Sequence, residues 1–131
     1  MTWLLDTNVV IQAIRGRPAK VRRRLNRVGP DDVTVSAITV AELWYGAERS
    51  AEPQRRKDVF EEFLKPYEDL PFDRPAGEHH GRLRHQLRHN PIGERDLLIA
   101  AIAMANDLIV VTSNVREFRR VPGLKVEDWS E

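Results

Sequence analysis

Three acidic residues stand in apolar stretches of this sequence, where a charged side chain is costly. Asp6 follows Trp3-Leu4-Leu5, Glu42 lies in the mainly apolar segment 35–43, and Asp96 opens the run 97–103, the most apolar of the chain. A carboxylate that leaves water loses much of its hydration free energy unless a positive group meets it. Three such groups from distant segments could share one cation, and this possibility makes them candidate catalytic residues.

Each acid also has a purely local explanation. Asp6 can be an N-cap for the following helix. Thr39-Val40-Ala41-Glu42 fits a capping box, in which the glutamate reaches back to the N-cap amide. Asp96 suits the first turn of a helix because the macrodipole favours an acid there. However, Asp96 shares its helix face with apolar residues three, four and seven positions on, so it is aligned with the buried side.

Strand-like and helix-like patterns alternate along the chain. The predicted strands are 2–5, 33–35, 69–72, 108–112 and 124–126, with 69–72 at a sheet edge because it contains a proline. The predicted helices begin near Thr7, Pro18, Thr39, Pro53, Pro75 and just after Gly93. This alternation predicts one α/β domain over residues 1–131, with a parallel sheet covered by helices on both faces.

The polar residues fall where such a sheet collects its ligands, at the carboxyl ends of the strands. Asp6 and Glu42 follow strands, and Thr112 and Asn114 follow the most strongly predicted strand. Oxygen ligands without cysteine suit a hard cation such as Mg²⁺ or Mn²⁺. Without a cation, clustered carboxylates would repel one another and their pKa values would rise. A divalent ion would remove this conflict and activate a water, for which a phosphodiester is the natural substrate.

Basic residues are unevenly distributed although the net charge is only +1. The segment 15–27 contains seven arginine or lysine residues and no acid, and a second basic segment is 82–89. Clustered arginine can neutralise phosphates, so these segments are candidate RNA contacts. The alternative is a solvated helix face. The four residues proposed for RNA binding are Arg22, Arg23, Arg84 and Arg88.

The composition indicates which cellular compartment and which class of protein to expect. Hydrophobic residues make up 41% of the chain, as in an ordinary globular domain, and no apolar run is long enough to span a bilayer. The N-terminus lacks the pattern of a secretory signal, and there is no cysteine for a disulfide or a thiolate metal site. We therefore expect a cytoplasmic protein without a membrane partner.

Four ordered motifs, together with the tail 121–129, resemble PIN-domain ribonucleases, and most closely the VapC-type toxins of bacterial toxin–antitoxin pairs. The motifs are Leu4-Leu5-Asp6-Thr7-Asn8, Ile38-Thr39-Val40-Ala41-Glu42-Leu43-Trp44-Tyr45-Gly46, the segment 91–101 around Asp96, and the segment 111–118 around Asn114. The resemblance implies a five-stranded parallel sheet and an acidic Mg²⁺ site, with Mn²⁺ as a possible substitute.

By match of motif, the resemblance implies that Asp6, Glu42 and Asp96 are the metal-site carboxylates. The fourth family position, often aspartate, is Asn114 in this chain, which removes one negative charge from the site. Asn8 and Thr112 are expected to support the ligands. The implied reaction is metal-dependent hydrolysis of RNA that leaves a 5′-phosphate and a 3′-hydroxyl.

The resemblance also implies protein partners. A cognate antitoxin would inhibit the enzyme, and the toxin would form homodimers and hetero-oligomers with the antitoxin. We expect apolar residues to make these contacts, namely the stripe Val59-Phe60-Phe63-Leu64 and the pair Trp44-Tyr45.

Two other functions remain open from the sequence. A non-catalytic module could keep the fold and bind RNA or a protein through its arginines, and Asn114 gives this alternative some support. A phosphatase or receiver-like domain also places acids at strand ends. Such domains use paired acids after the first strand and a functional lysine, whereas Asp6-Thr7-Asn8 offers a single acid and lysine is scarce.

Overall fold

The protein is built around a five-stranded, wholly parallel sheet. The computed structural model describes all residues 1–131, and the strand order is β3-β2-β1-β4-β5. The strands are β1 (Trp3–Leu5), β2 (Val33–Ser36), β3 (Glu68–Leu70), β4 (Ile109–Val111) and β5 (Val126–Glu127). The predicted α/β class and parallel sheet are confirmed, and the strand predicted at an edge, β3, is at an edge.

Helices cover both faces of the sheet. They are α1 (Thr7–Arg15), α2 (Ala19–Arg27), α3 (Ala37–Glu48), α4 (Pro53–Leu64), α5 (Arg74–Gln86), α6 (Glu94–Ala105) and the one-turn α7 (Val115–Phe118), with a short 3₁₀ helix at Pro30–Asp32. Because strand side chains alternate, Leu4 and Leu5 enter different cores. One core lies under α5 and α6, and the other under α1 to α4. No helix is long and apolar enough to cross a membrane.

Three sequence predictions are wrong in detail. The edge strand predicted at 69–72 lies at Glu68–Leu70 and ends before Pro71, because its pairing with β2 stops at Leu70 and proline has no N–H to donate. The helix predicted to start at Thr39 starts at Ala37, and its N-cap is Ser36, whose hydroxyl accepts the Thr39 N–H at 3.1 Å. The reason is that Ser36 ends β2 in an extended conformation, which suits an N-cap. The last strand was predicted at 124–126 but lies at Val126–Glu127, where it pairs with β4.

The order of the strands creates a crevice beside β1. From β1 the chain continues to β2 and β3 on one side, then crosses to β4 and β5 on the other side. Connections on either side of this reversal leave the carboxyl ends of β1 and β4 uncovered, and ligands of open α/β sheets bind at such points. Asp6 lies there, with its backbone N–H bonded to the Val111 carbonyl at 2.9 Å.

Candidate active site

Asp6 is a buried acid at the N-cap position of its helix. The residue is only 4% exposed, it precedes α1, and its side chain makes no capping hydrogen bond. Its Oδ2 instead accepts a hydrogen bond from the Thr112 hydroxyl at 2.8 Å. Burial raises the pKa of Asp6 and the Glu42 charge adds to this, while Thr112 and the nearby amides of Thr7 and Asn8 oppose it. Asp6 is thus the N-cap residue by position, as predicted, but a side-chain cap does not account for its burial.

Thr112 and Asn114 form the turn that follows β4. The Thr112 hydroxyl donates to Asp6 and accepts the backbone N–H of Asn114 at 2.9 Å, so it fixes the turn relative to the acid. The side-chain amide of Asn114 donates to Glu117 Oε2 at 2.7 Å. The carbonyl oxygen of that amide is then the atom that Asn114 can offer to a cation.

Asp96 lies in the first turn of α6, half-buried among other acids. Burial raises its pKa from the ordinary 3.8 to about 7, and the charges of Asp6, Glu117 and Glu42 and a hydrogen bond with Glu117 act in the same direction. The macrodipole of α6 favours an acid at this position, but it does not compensate for three acidic neighbours. An Asp96 carboxyl with this pKa releases its proton only around neutral pH, and a nearby cation would favour the release.

Glu117 is an acid of this site that sequence reasoning missed. Its carboxylate accepts the backbone N–H of Gly93, which is the main reason why its pKa is lowered, and it also bonds to Asn114 and Asp96. It comes from the one-turn helix α7. The available signal was its position three residues after Asn114, within a motif already quoted for the family resemblance.

Glu42 faces the same crevice from α3. The helix is capped by Ser36 rather than Thr39, so Glu42 lies beyond N3 and the capping-box explanation is wrong. Its Oε1 accepts the Thr7 hydroxyl at 2.8 Å, and its Oε2 lies 3.3 Å from Arg95 Nη1. The Arg95 side chain is 67% exposed, so this ion pair is weak and leaves Glu42 accessible.

The donor set fits a hard divalent cation by its chemistry. Asp6, Asp96, Glu42 and Glu117 supply only oxygen atoms, and three of them raise the pKa of Asp96. No three acid or histidine side chains already stand in metal-holding geometry. Binding of an ion therefore requires side-chain movements that draw these acids together.

Comparison with known proteins agrees with this architecture. The family model described as PIN domain matches residues 3–124. The chain is 42% identical to the "tRNA(fMet)-specific endonuclease VapC" of Shigella flexneri over 132 residues, covering 99% of each protein. It is 41% identical to "Ribonuclease VapC2" of Haemophilus influenzae, covering 98% of each. The chain belongs to the PIN-domain family, in its VapC ribonuclease branch.

Solved structures of similar proteins share the whole fold. The DNA-bound VapBC complex of Salmonella typhimurium aligns with a TM-score of 0.92 at 40% identity, over 98% of both chains. FitAcB from Neisseria gonorrhoeae aligns with a TM-score of 0.86 at 29% identity, again over 98% of both chains. The whole chain, including the α7 segment that carries Glu117, thus falls within the VapC architecture.

The arginines proposed for RNA binding form no hydrogen bond or ion pair with the acids of the cluster. Arg22 donates through Nε to the Ala13 carbonyl at 2.9 Å and so ties α2 to α1. Arg88 donates to the His85 carbonyl at 2.8 Å, while Arg23 and Arg84 are exposed. The arginines that line the same groove as Glu42 are different ones, namely Arg15, Arg49, Arg56 and Arg95, and of these Arg95 contacts Glu42.

The apolar residues proposed for partner contacts are only partly available. Phe60 and Leu64 are buried, and the Trp44 ring packs 6.2 Å from the Phe60 ring. Val59 remains 42% exposed and Tyr45 60% exposed. The predicted stripe therefore serves mainly to attach α4 to α3, and Tyr45 is the member that most clearly needs another explanation.

Proposed function

We propose that the protein is a metal-dependent endoribonuclease and the toxin of a toxin–antitoxin pair. The observation that carries this proposal is the gathering of Asp6, Asp96, Glu117 and Glu42 at the crevice beside β1, with the pKa of Asp96 raised to about 7. A structural cluster would be expected to include cations that neutralise its acids, whereas here the exposed Arg95 pairs with Glu42, Arg120 lies near Glu117, and Asp6 and Asp96 have no basic partner. Such a site is incomplete without a divalent ion.

The residues of the chain would divide the work as follows. Asp6, Asp96 and Glu117, with the carbonyl oxygen of Asn114, would hold Mg²⁺ or Mn²⁺. The bound ion would serve as a Lewis acid and activate the attacking water. Thr112 fixes the Asp6 carboxylate and Thr7 fixes the Glu42 carboxylate. Glu42, accessible at the mouth of the crevice, would accept a hydrogen bond from the water and orient it for in-line attack, which leaves a 5′-phosphate and a 3′-hydroxyl.

The partners follow from the relatives. The VapBC structures are complexes of a VapC-type toxin with its antitoxin, some of them bound to DNA. A cognate antitoxin would hold this protein inactive, and toxin subunits would pair as homodimers within such complexes. The reaction would take place in the cytoplasm, where RNA is the substrate.

The test is cleavage of RNA by the purified, antitoxin-free protein. We would incubate it with total cellular RNA in Mg²⁺, in Mn²⁺ and in EDTA, beside the variants Asp96→Asn and Glu94→Gln. Glu94 is an exposed acid in the same helical turn, so it is a matched control. We expect discrete fragments that require metal and Asp96 but not Glu94. Intact RNA at high concentrations of folded protein with Mn²⁺ would contradict the proposal and favour a non-catalytic binding module.

A further inference from the structure

A groove with an apolar floor and an arginine rim opens beside the acid cluster. Its cavity volume is about 630 Å³, and it is bounded by residues of α1, α3, α4 and α6. Ile11, Leu43 and Phe60 contribute to the floor. The charged residues along the groove are Arg15, Arg49, Arg56, Arg95 and a single acid, Glu42. A groove with this excess of positive charge favours the binding of a polyanion.

Tyr45 stands in this groove as an exposed aromatic residue. It is 60% exposed, although neighbouring Trp44 is packed against Phe60. The guanidinium of Arg49, one helical turn later, lies 4.7 Å from the centre of the Tyr45 ring. This cation–π contact orients the ring and combines two planar groups that both stack on nucleobases.

We propose that this groove is a nucleotide-binding subsite of the nuclease for single-stranded RNA. One base stacks on the Tyr45–Arg49 pair, and Arg15, Arg56 and Arg95 contact the phosphates of the strand that leads to Glu42. The inference rests on the proposed function, because it names how the substrate reaches that same site. It assigns RNA contacts to arginines of α1, α4 and α6 and to Arg49 just after α3, and of these only Arg15 belongs to a basic segment of the sequence.

Continuity with the acid cluster favours RNA over other polyanions. Thr7, Asn8 and Glu42 line the groove and also border the acids, so a strand lying in the groove runs directly into the site of hydrolysis. An acidic protein segment would match the arginines equally well, but it has no reason to continue toward four carboxylates. A base already paired in a duplex is not free to stack, so the groove selects single-stranded segments.

The experiment measures RNA binding without cleavage, in the Asp96→Asn background. Fluorescence anisotropy would follow a fluorescein-labelled single-stranded RNA of mixed sequence, with a poly-glutamate peptide of equal length as a second probe. The added substitutions are Tyr45→Ala, Tyr45→Phe and Arg49→Ala. Phe72→Ala is the matched control, because Phe72 is also an exposed aromatic residue, 38% exposed, and lies outside the groove.

We expect Tyr45→Ala to weaken RNA binding roughly tenfold, because base–aromatic stacking is sequence-tolerant and strong. Tyr45→Phe should bind within about twofold of the parent, since it keeps the ring. Arg49→Ala should also weaken binding, because it removes the guanidinium from the stacking pair, and should change the salt dependence of log K by less than the roughly 0.7 of one phosphate contact on a single strand. Phe72→Ala should change neither quantity.

Two results would overturn the subsite. One is unchanged RNA affinity in folded Tyr45→Ala. The other is peptide binding that is as tight as RNA binding and equally sensitive to Tyr45→Ala, since the groove would then be a dock for an acidic protein segment. Failure of the proposed nuclease activity would give a different result. RNA binding that depends on Tyr45, without any cleavage by the unsubstituted protein, would refute the nuclease activity but support the subsite.

Discussion

Two carboxylates at the same edge of the sheet have opposite surroundings. Glu127 ends β5, and its Oε1 accepts the indole N–H groups of Trp3 at 3.2 Å and Trp129 at 3.1 Å, with Arg24 at 3.7 Å. Asp6 follows β1 and accepts one side-chain hydrogen bond, from Thr112, while its other charged neighbours are acids. Carboxylates at similar positions thus differ in their surroundings: hydrogen-bond donors and a cation surround Glu127, whereas Asp6 has acidic neighbours and no cation of its own.

The difference distinguishes a carboxylate that stabilises the fold from acids that are available for function. The donors around Glu127 close a local network: the rings of Trp3 and Trp129 meet edge to face at 5.6 Å, and Arg24 lies 5.2 Å from the Trp129 ring. This network attaches the C-terminal segment to the sheet and needs nothing further. The cluster around Asp6 has fewer basic neighbours than acids, because only Arg95 pairs with Glu42 and Arg120 lies near Glu117, and its acids are therefore available for a cation. Four predictions test this contrast.

The largest expected effect is on RNA cleavage. Asp6→Asn should reduce the cleavage rate by at least about a hundredfold, because it removes a negative ligand from the metal site. Glu127→Gln, which makes the matched change at the compensated carboxylate, should leave the rate within about threefold once the folded fraction is equal. Single-turnover cleavage of one labelled RNA would measure both. Similar losses of cleavage rate in the two variants would contradict the proposed difference between Asp6 and Glu127.

The second effect is on stability, and here we expect the substitution of Glu127 to matter more than the substitution of Asp6. Glu127→Ala leaves two indole donors without their acceptor, which should lower the free energy of unfolding by about 1–3 kcal/mol. The exposed ion pair with Arg24 adds little to this. Urea denaturation would measure it, with the exposed Glu131→Ala as control. The contrast would be lost if Asp6→Asn proved as destabilising as Glu127→Ala.

A third prediction concerns pH in metal-free buffer. Because the pKa of Asp96 is raised from 3.8 to about 7, the folded protein keeps a proton that the unfolded chain releases. This contribution to stability is fully present below 3.8 and is lost as the pH rises through about 7. Asp96→Asn should therefore be more stable than the parent above pH 7, with the difference disappearing at acidic pH. Thermal unfolding across the pH range would measure it, and a constant difference would refute the assigned cause.

The smallest expected effect comes from Gly93. A methyl group at this position would lie 3.2 Å from Glu117 Oε1 and 3.7 Å from Asp96 Oδ2. The second distance is an ordinary van der Waals contact, but the first is shorter than such a contact normally is. Gly93→Ala should displace Glu117 and slow cleavage several-fold while the fold remains intact. Gly81→Ala is the control, since a methyl group there meets nothing within 4 Å. Equal cleavage rates for the two variants would show that Glu117 has no part in the reaction.

Sequence alone predicted the sheet well because strands β1, β2 and β4 are short apolar runs in a regular alternation with helices. It misplaced the start of α3 because Ser36 belongs to β2 and caps the helix at once, a dual role that a local pattern does not show. The length of the last strand depends on pairing with β4 rather than on its own residues.

The site was partly predictable for a related reason. Asp6 and Asp96 stand out because an acid beside apolar residues is unusual. Glu117 does not, since it is a polar residue in a polar turn, and only the meeting of α7 with the start of α6 reveals its role. The arginine groove was missed because its members come from different helices, whereas charge counting along the chain finds only contiguous clusters.

Metal binding tests the central claim most directly. We would titrate Mn²⁺ into the protein and follow the free ion by electron paramagnetic resonance, comparing the parent with Asp96→Asn and Glu127→Gln. We predict saturable binding that survives Glu127→Gln and is strongly weakened by Asp96→Asn. Folded parent protein that binds no Mn²⁺, or binding that is equal in all three proteins, would contradict the claim that the acids around Asp6 form a cation site.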